Sequence, residues 1–261
     1  MDGERFLTGY MQPYCNEYIL IGGNACALHF DALDAAFRAT VDLDIVLITE
    51  SANPDFYAHL CHYFQQHGYV GKRFNGSNPG GSAYRFILPV DQRNSGHPLQ
   101  IELFARKPEY FDVTQANKLY ITPIETGEGM SNLSAILLED DIYDFVSHSR
   151  VNLGGVSTVT LACLLGLKSV AWHNNQSLKD DGEDMDMGTI LKHPADMMRI
   201  VSILEPEETY YPHQVFHSLQ LSREKFGDPN VRALLVPLSD GMDFDTTIEF
   251  IASYVKLKNT L

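Results

Sequence analysis

Residues 18–48 read YILIGGNACALHFDALDAAFRATVDLDIVLI, and this stretch decides the fold. Tyr18-Ile19-Leu20-Ile21 is a compact apolar run that stops at Gly22-Gly23, the pattern of a strand entering a tight turn. Asn24 to Phe37 carries Ala, Leu, His and Phe with few breakers and predicts a helix. Asp42 to Ile48 (DLDIVLI) is a second, strongly β-like run. Strand, turn, helix and strand in this order open a mixed α/β layer fold.

Working outward, Pro54 to His67 has helical spacing through Phe56, Leu60, Tyr63 and Phe64 and ends at Gly68, a suitable C-cap. Phe56, Tyr63, Phe64 and Trp172 read as core, with a clamp for a base the alternative for one of them. Tyr69-Val70 follows, then the turn-rich loop Asn75 to Ser82, a strand over Tyr84 to Leu88 and another over Leu99 to Phe104 (LQIELF). Residues 118–155 are transitional, with β-like Leu119 to Ile124 and Leu133 to Leu138 and a helix around Asp140 to Val146. Beyond Gly154-Gly155 the texture turns helical: Thr158 to His173 with Ser157 as an available N-cap, then Ala195 to Leu204, Pro212 to Lys225 and Thr246 to Lys256. The expectation is an α/β (α+β) protein. Residues 1–130 form a mixed β-sheet flanked by helices, and 131–261 form a mostly helical C-terminal domain that completes a cleft.

Composition narrows the function classes. With 44% hydrophobic and 20% charged residues over 261 positions, the chain is globular rather than fibrous or disordered. Its formal charge of −15 repels polyphosphate at long range and disfavours broad nonspecific binding to nucleic acid. No apolar run approaches the ~18 residues of a membrane span, and MDGERFLTGY lacks the apolar core of a signal peptide. Four scattered cysteines without a CxxC pair read as reduced thiols, so a cytoplasmic location is expected. There is no HExxH motif, and zinc chemistry has little support. A GxSxG nucleophile elbow is absent too, and GSNPGGS at 76–82 lacks the Gly-Lys-Ser/Thr of a Walker A loop.

The sharpest chemical feature is Asp42-Leu43-Asp44. Residues i and i+2 of a strand share a face, so the two carboxylates stand side by side and repel. A hard divalent cation removes that conflict, and Mg²⁺ favours a few carboxylates together with substrate phosphates. The bland alternative is a solvated strand face. Gly22-Gly23 places a turn at a strand-to-helix junction where free amides favour phosphate, or is an ordinary tight turn. Glu102, among apolar residues of a neighbouring strand, either completes a metal site, takes a proton from an attacking hydroxyl, or faces outward. Arg38 and Thr40 contact phosphate or order the strand, and Arg38 equally suits a helix end. Arg85 and Lys72-Arg73 are further cations of the front half, with surface solvation the default.

Ile-Gly-Gly, a helix, then Arg38-Ala39-Thr40-Val41-Asp42-Leu43-Asp44 and a later strand acid resemble the DNA polymerase β-type nucleotidyltransferase superfamily, and within it the AbiE-type abortive-infection toxins. The back half resembles the same group through a helical lysine, Leu167-Lys168-Ser169, and the acidic segment Lys179 to Asp186. The resemblance runs from about residue 18 to 192. It departs in a longer Gly23-to-Asp42 spacing and in an acidic segment with more aspartates than one alignment needs. It implies that Asp42, Asp44 and Glu102 hold two Mg²⁺ ions, with Mn²⁺ a substitute, and that Glu102 orients or deprotonates the acceptor. It implies that Gly22, Gly23, Asn24, Arg38, Thr40, Lys168, Asp181 and Asp184 meet the nucleotide; Lys168 otherwise reads as a snorkelling surface lysine. The implied activity is transfer of a nucleoside monophosphate from an NTP to a hydroxyl of a protein, a tRNA end or a small molecule such as an aminoglycoside, with pyrophosphate release. A toxin-like role with a cognate antitoxin follows by analogy. A nucleotide-binding or partner-binding protein with weak catalysis on the same scaffold is the alternative.

Overall fold

The computed structural model describes residues 6–48, 53–72, 85–93, 95–106, 121–123 and 134–258. They fall into two compact units, the first through Val159 and the second from Thr160. The first is a mixed sheet flanked by helices and the second is mostly helical, in line with the expected fold class. No described helix is long and apolar enough to cross a membrane.

β1 (Tyr18–Ile21) is buried at every position, and its apolar side chains hold it in the middle of the sheet. It leads directly into α1 (Gly22–Ala32), which has no side-chain N-cap. The helix stops short of the expected Phe37 because Asp34 turns left-handed, φ 52°, a conformation that Asp tolerates better than most residues. β2 (Asp42–Leu47) then returns antiparallel to β1, with Ile21 opposite Asp44. α2 (Pro54–Gln66) is capped by Asn53, whose Oδ1 accepts from the Asp55 amide at 3.1 Å. Its Phe56, Tyr63 and Phe64 are buried, as expected of core residues.

The sheet runs β3 (Val70–Lys72), β4 (Arg85–Ile87), β5 (Gln100–Arg106), β2, β1, β9 (Val156–Val159), β8 (Arg150–Leu153). β5 lies parallel to β2. Its other edge takes β4 at Gln100 to Glu102 and β7 (Ser134–Leu138) at Phe104 to Arg106, and β7 also pairs with β6 (Ile121–Pro123). α3 (Asp140–His148) follows β7.

Two backbone pairings carry the first unit beyond the expected domain boundary at 130/131: β7 with β5, and β9 with β1 through Leu20 and Thr158. Val156 to Val159, expected to enter a helix behind Ser157, is this buried strand instead. Its β-branched Val156, Thr158 and Val159 suit a pleated core surface better than a helical turn. Ser157 accepts from Arg150 Nε at 2.8 Å, and the cap of the next helix is Thr160.

In the second unit α4 (Leu161–Asp180) and α5 (Met187–Ile203) pack together, followed by α6 (His213–Gly227), α7 (Pro229–Leu235) and α8 (Phe244–Tyr254). α5 starts earlier than the expected Ala195, because Asp186 accepts from the Thr189 amide at 2.9 Å and the helix passes through Pro194. A parallel pair absent from the sequence reading, β10 (Thr209–Tyr211) and β11 (Val255–Leu257), joins the segment before α6 to the one after α8. Trp172 is buried beside His173, whose Nε2 lies 3.1 Å from the Ser218 carbonyl and 3.0 Å from Ser222 Oγ. Burial first, and then the nearby Lys225 ammonium, hold the His173 pKa down from 6.5 to about 4.

Two outcomes follow. Leu103, fully buried on β5, leaves a cavity between β2 and its neighbours when truncated; Leu103→Ala should lower stability by about 2–5 kcal/mol in urea titration. His173 resists a proton that the unfolded chain accepts, so its share of stability is intact above about pH 6.5 and is lost as pH falls toward 4. Thermal midpoints measured across that window should decline, and His173→Gln should flatten the decline.

Candidate functional site

The strand register builds the site. Asp44 sits opposite Glu102 on the parallel β5, and Glu102 sits opposite Arg85 on the antiparallel β4. Register partners project to the same side of a sheet, so Arg85, Glu102 and Asp44 form one row across three strands. Asp42 and Gln100 form the next row. Burial alternates accordingly: Asp42, Asp44, Gln100 and Glu102 are half-buried, while Leu43, Ile45, Ile101 and Leu103 fill the opposite face. The three acids picked out in the sequence therefore share a face on adjacent strands.

The glycine turn closes over this row. Gly22 has φ +76°, and a Cβ built on it would lie 1.9 Å from Asp44 Oδ2. The carboxylate thus occupies the space that any side chain at position 22 would need. It stands at the first turn of α1, where the helix dipole and the unpaired amides favour a negative charge. At the next position, a Cβ on Gly23 would lie 2.5 Å from Thr40 Oγ1 and 3.4 Å from Arg38 Nη2. Gly22, Gly23, Arg38, Thr40 and Asp44 are brought together at this turn.

Asn24 takes a different role from the expected phosphate contact. It is fully buried, and its Nδ2 donates to the Asp42 carbonyl at 2.6 Å. Its Oδ1 is buried with no hydrogen-bond partner among the described residues. The side chain braces the entry of β2 against the first turn of α1, and it acts on Asp42 through the backbone.

Glu102 is held on one side. Its Oε1 lies 2.5 Å from Arg85 Nε and accepts from Gln100 Nε2 at 3.0 Å, which anchors that oxygen. Arg85, left to solvent by default in the sequence reading, is part of the site; strand pairing with Glu102 was the signal, and sequence spacing does not show it. Arg73 and the Asn75 to Ser82 loop lie outside the described residues.

The donor set suits a hard cation, since all three groups offer carboxylate oxygens and none offers sulfur or nitrogen. As the side chains stand, no group of three or more His, Cys, Asp or Glu among the described residues is gathered tightly enough to hold an ion. The backbone aligns the acids, and rotation about their side-chain bonds would be needed to converge them.

The back-half residues belong to the second unit. Lys168 is neither a surface lysine nor a ready point charge: it is buried, with its Nζ 2.9 Å from Asp196 Oδ2. Asp196 is completely buried and has Arg199 Nη1 3.5 Å from its other oxygen, so the two cations serve an interior anion. The acidic segment is the turn between α4 and α5. Asp180 accepts from Gln176 at 2.8 Å, Asp181 ends α4, and Asp186 caps α5. Asp184 is exposed in the middle of the turn.

Gly22→Ala should report on the packing at the turn. Left-handed backbone alone costs a side chain about 1–3 kcal/mol, and the displaced Asp44 carboxylate adds to it. Denaturant unfolding should show the loss, and a loss no larger than that backbone cost would mean that Asp44 swings aside freely. No protein-family model matches this chain, and no curated protein or solved structure matches it.

Proposed function

We propose that this protein is a divalent-metal-dependent nucleotidyltransferase, moving a nucleoside monophosphate from an NTP to an acceptor hydroxyl with release of pyrophosphate. The observation that carries the reading is the shared face: Asp42 and Asp44 on β2 and Glu102 directly across on β5, under a glycine turn with no room for a side chain. Asp42 and Asp44 would hold the metal, with Glu102 completing its shell or orienting the acceptor. When bound, Mg²⁺ supplies neutralising charge on the attacking and leaving oxygens of an in-line displacement.

The chain's own groups account for the rest. The amides of the first turn of α1, with Arg38 and Thr40 beside Gly23, offer donors to phosphate oxygens. Glu102 Oε1 is tied to Arg85 and Gln100, so its other oxygen is the one available to a hydroxyl proton. The net charge of −15 suits a cationic small molecule or a compact protein acceptor better than a long RNA. A toxin-like role paired with an antitoxin rests on family resemblance alone and is the outermost part of the proposal.

One observation favours a second reading. The Arg85 contact occupies Glu102 as a cation would, which suits a nucleotide-binding protein with little turnover.

The test is calorimetry with each NTP, with and without Mg²⁺, followed by pyrophosphate release over an acceptor panel. Metal-dependent binding with release is expected for the enzyme, and binding without release for the second reading. Asp42→Asn and Asp44→Asn should each lower transfer by several orders of magnitude with the fold retained, because each removes one of two repelling anions. Glu102→Gln should lower the rate and leave NTP binding largely intact. Undiminished turnover in either aspartate variant overturns the proposal.

A further inference from the structure

The described histidines divide by what their rings touch. His29, His59, His97, His148, His173 and His193 each place a ring nitrogen within hydrogen-bond distance of a neighbouring oxygen or amide. His62, His67, His213 and His217 have no such bond among the described residues; the His67 ring centroid lies 3.9 Å from that of His97, whereas His213 and His217 are both exposed. They stand one turn apart at the start of α6, on the face opposite the buried Val215, Ser218 and Leu219. Their rings are nearly parallel, 11° between planes, with centroids 6.4 Å apart.

The one-turn spacing on an exposed face suits a chelate. Two imidazoles bound to one Zn²⁺ through Zn–N bonds of about 2.0–2.1 Å, at a tetrahedral angle, put their centroids roughly 5 Å apart. The observed separation is wider and the rings lie stacked, so rotation about χ1 and χ2 of two solvent-exposed side chains is what turns both nitrogens onto one ion. The i, i+4 spacing places both ligands on one face without any change of backbone, so the helix provides the preorganisation. Neutral imidazole favours Zn²⁺, Ni²⁺ and Cu²⁺ over Mg²⁺, which prefers oxygen.

We propose that His213 and His217 form a two-histidine site for a first-row divalent transition ion, with water completing its coordination. This site is independent of the nucleotidyltransferase reading and of the carboxylate row, from which it differs in ligand type and in unit. The expectation of little support for zinc passed over the HxxxH spacing of His213 and His217, and two ligands make an open site of moderate affinity.

The experiment is titration of the chain, free of any affinity tag, with Ni²⁺, Zn²⁺ and Cu²⁺ by calorimetry, alongside His213→Gln and His217→Gln. The expected result is one equivalent bound by the native chain, tightest for Cu²⁺, undisturbed by excess Mg²⁺ and weakening as protons compete at lower pH. Each variant should lose that equivalent while keeping the metal-free thermal midpoint, since both side chains are exposed. Imidazole resonances of His213 and His217 should shift or broaden first when the ion is added. No saturable binding by the native chain, or an equivalent that survives in both variants, overturns the proposal.

Discussion

The absence of a side chain at Gly22 is the constraint on which the front of this protein depends. β1 must deliver the chain into α1 while β2 returns alongside it, and the register leaves Asp44 facing the junction. Only a residue with left-handed freedom and no Cβ lets the strand, the helix start and the carboxylate occupy that volume together. Asn24 fixes the same junction from inside, and Thr40 and Arg38 cover its next position. The α1 amides, the acids and the neighbouring guanidinium groups are thus arranged by one turn.

The two units treat buried charge in opposite ways. Asp196 is sealed in the second unit and requires Lys168 and Arg199 around it; removing one partner would strand an ion in a low-dielectric interior. Asp42 and Asp44 keep partial access to water, where a pair of anions costs far less than in a sealed interior. Glu102 lies between these extremes, steadied by Arg85 and Gln100. The interior pair belongs to architecture, and the half-buried row stays in contact with solvent.

Much of this was legible in the sequence. The period-two pattern of DLDIVLI and LQIELF gave both strands and their polar face, and the Gly-Gly pair gave the turn. The adjacency of Asp44 and Glu102 was an inference from residue type, and strand pairing supplied it. Lys168 misled because a lysine in an apolar helix looks available; its partner Asp196 lies 28 positions on, in another helix. Val156 to Val159 misled because apolar residues that lead into a helix fit a helical period as readily as a strand, and only β1 alongside decides. His213 and His217 are plain in the sequence, yet their spacing has meaning only once both rings prove exposed and unengaged.

The short pair β10 and β11 has a consequence for how the second unit is assembled. Thr209 and Val255 meet only after α6, α7 and α8 have been laid down between them, and the strands run parallel, so no hairpin nucleates their contact. Closing so long an excursion carries an entropic cost that packing of the intervening helices lowers. The pairing therefore acts as a latch fastened last, and a chain still emerging from the ribosome would hold its helices before it held their clasp.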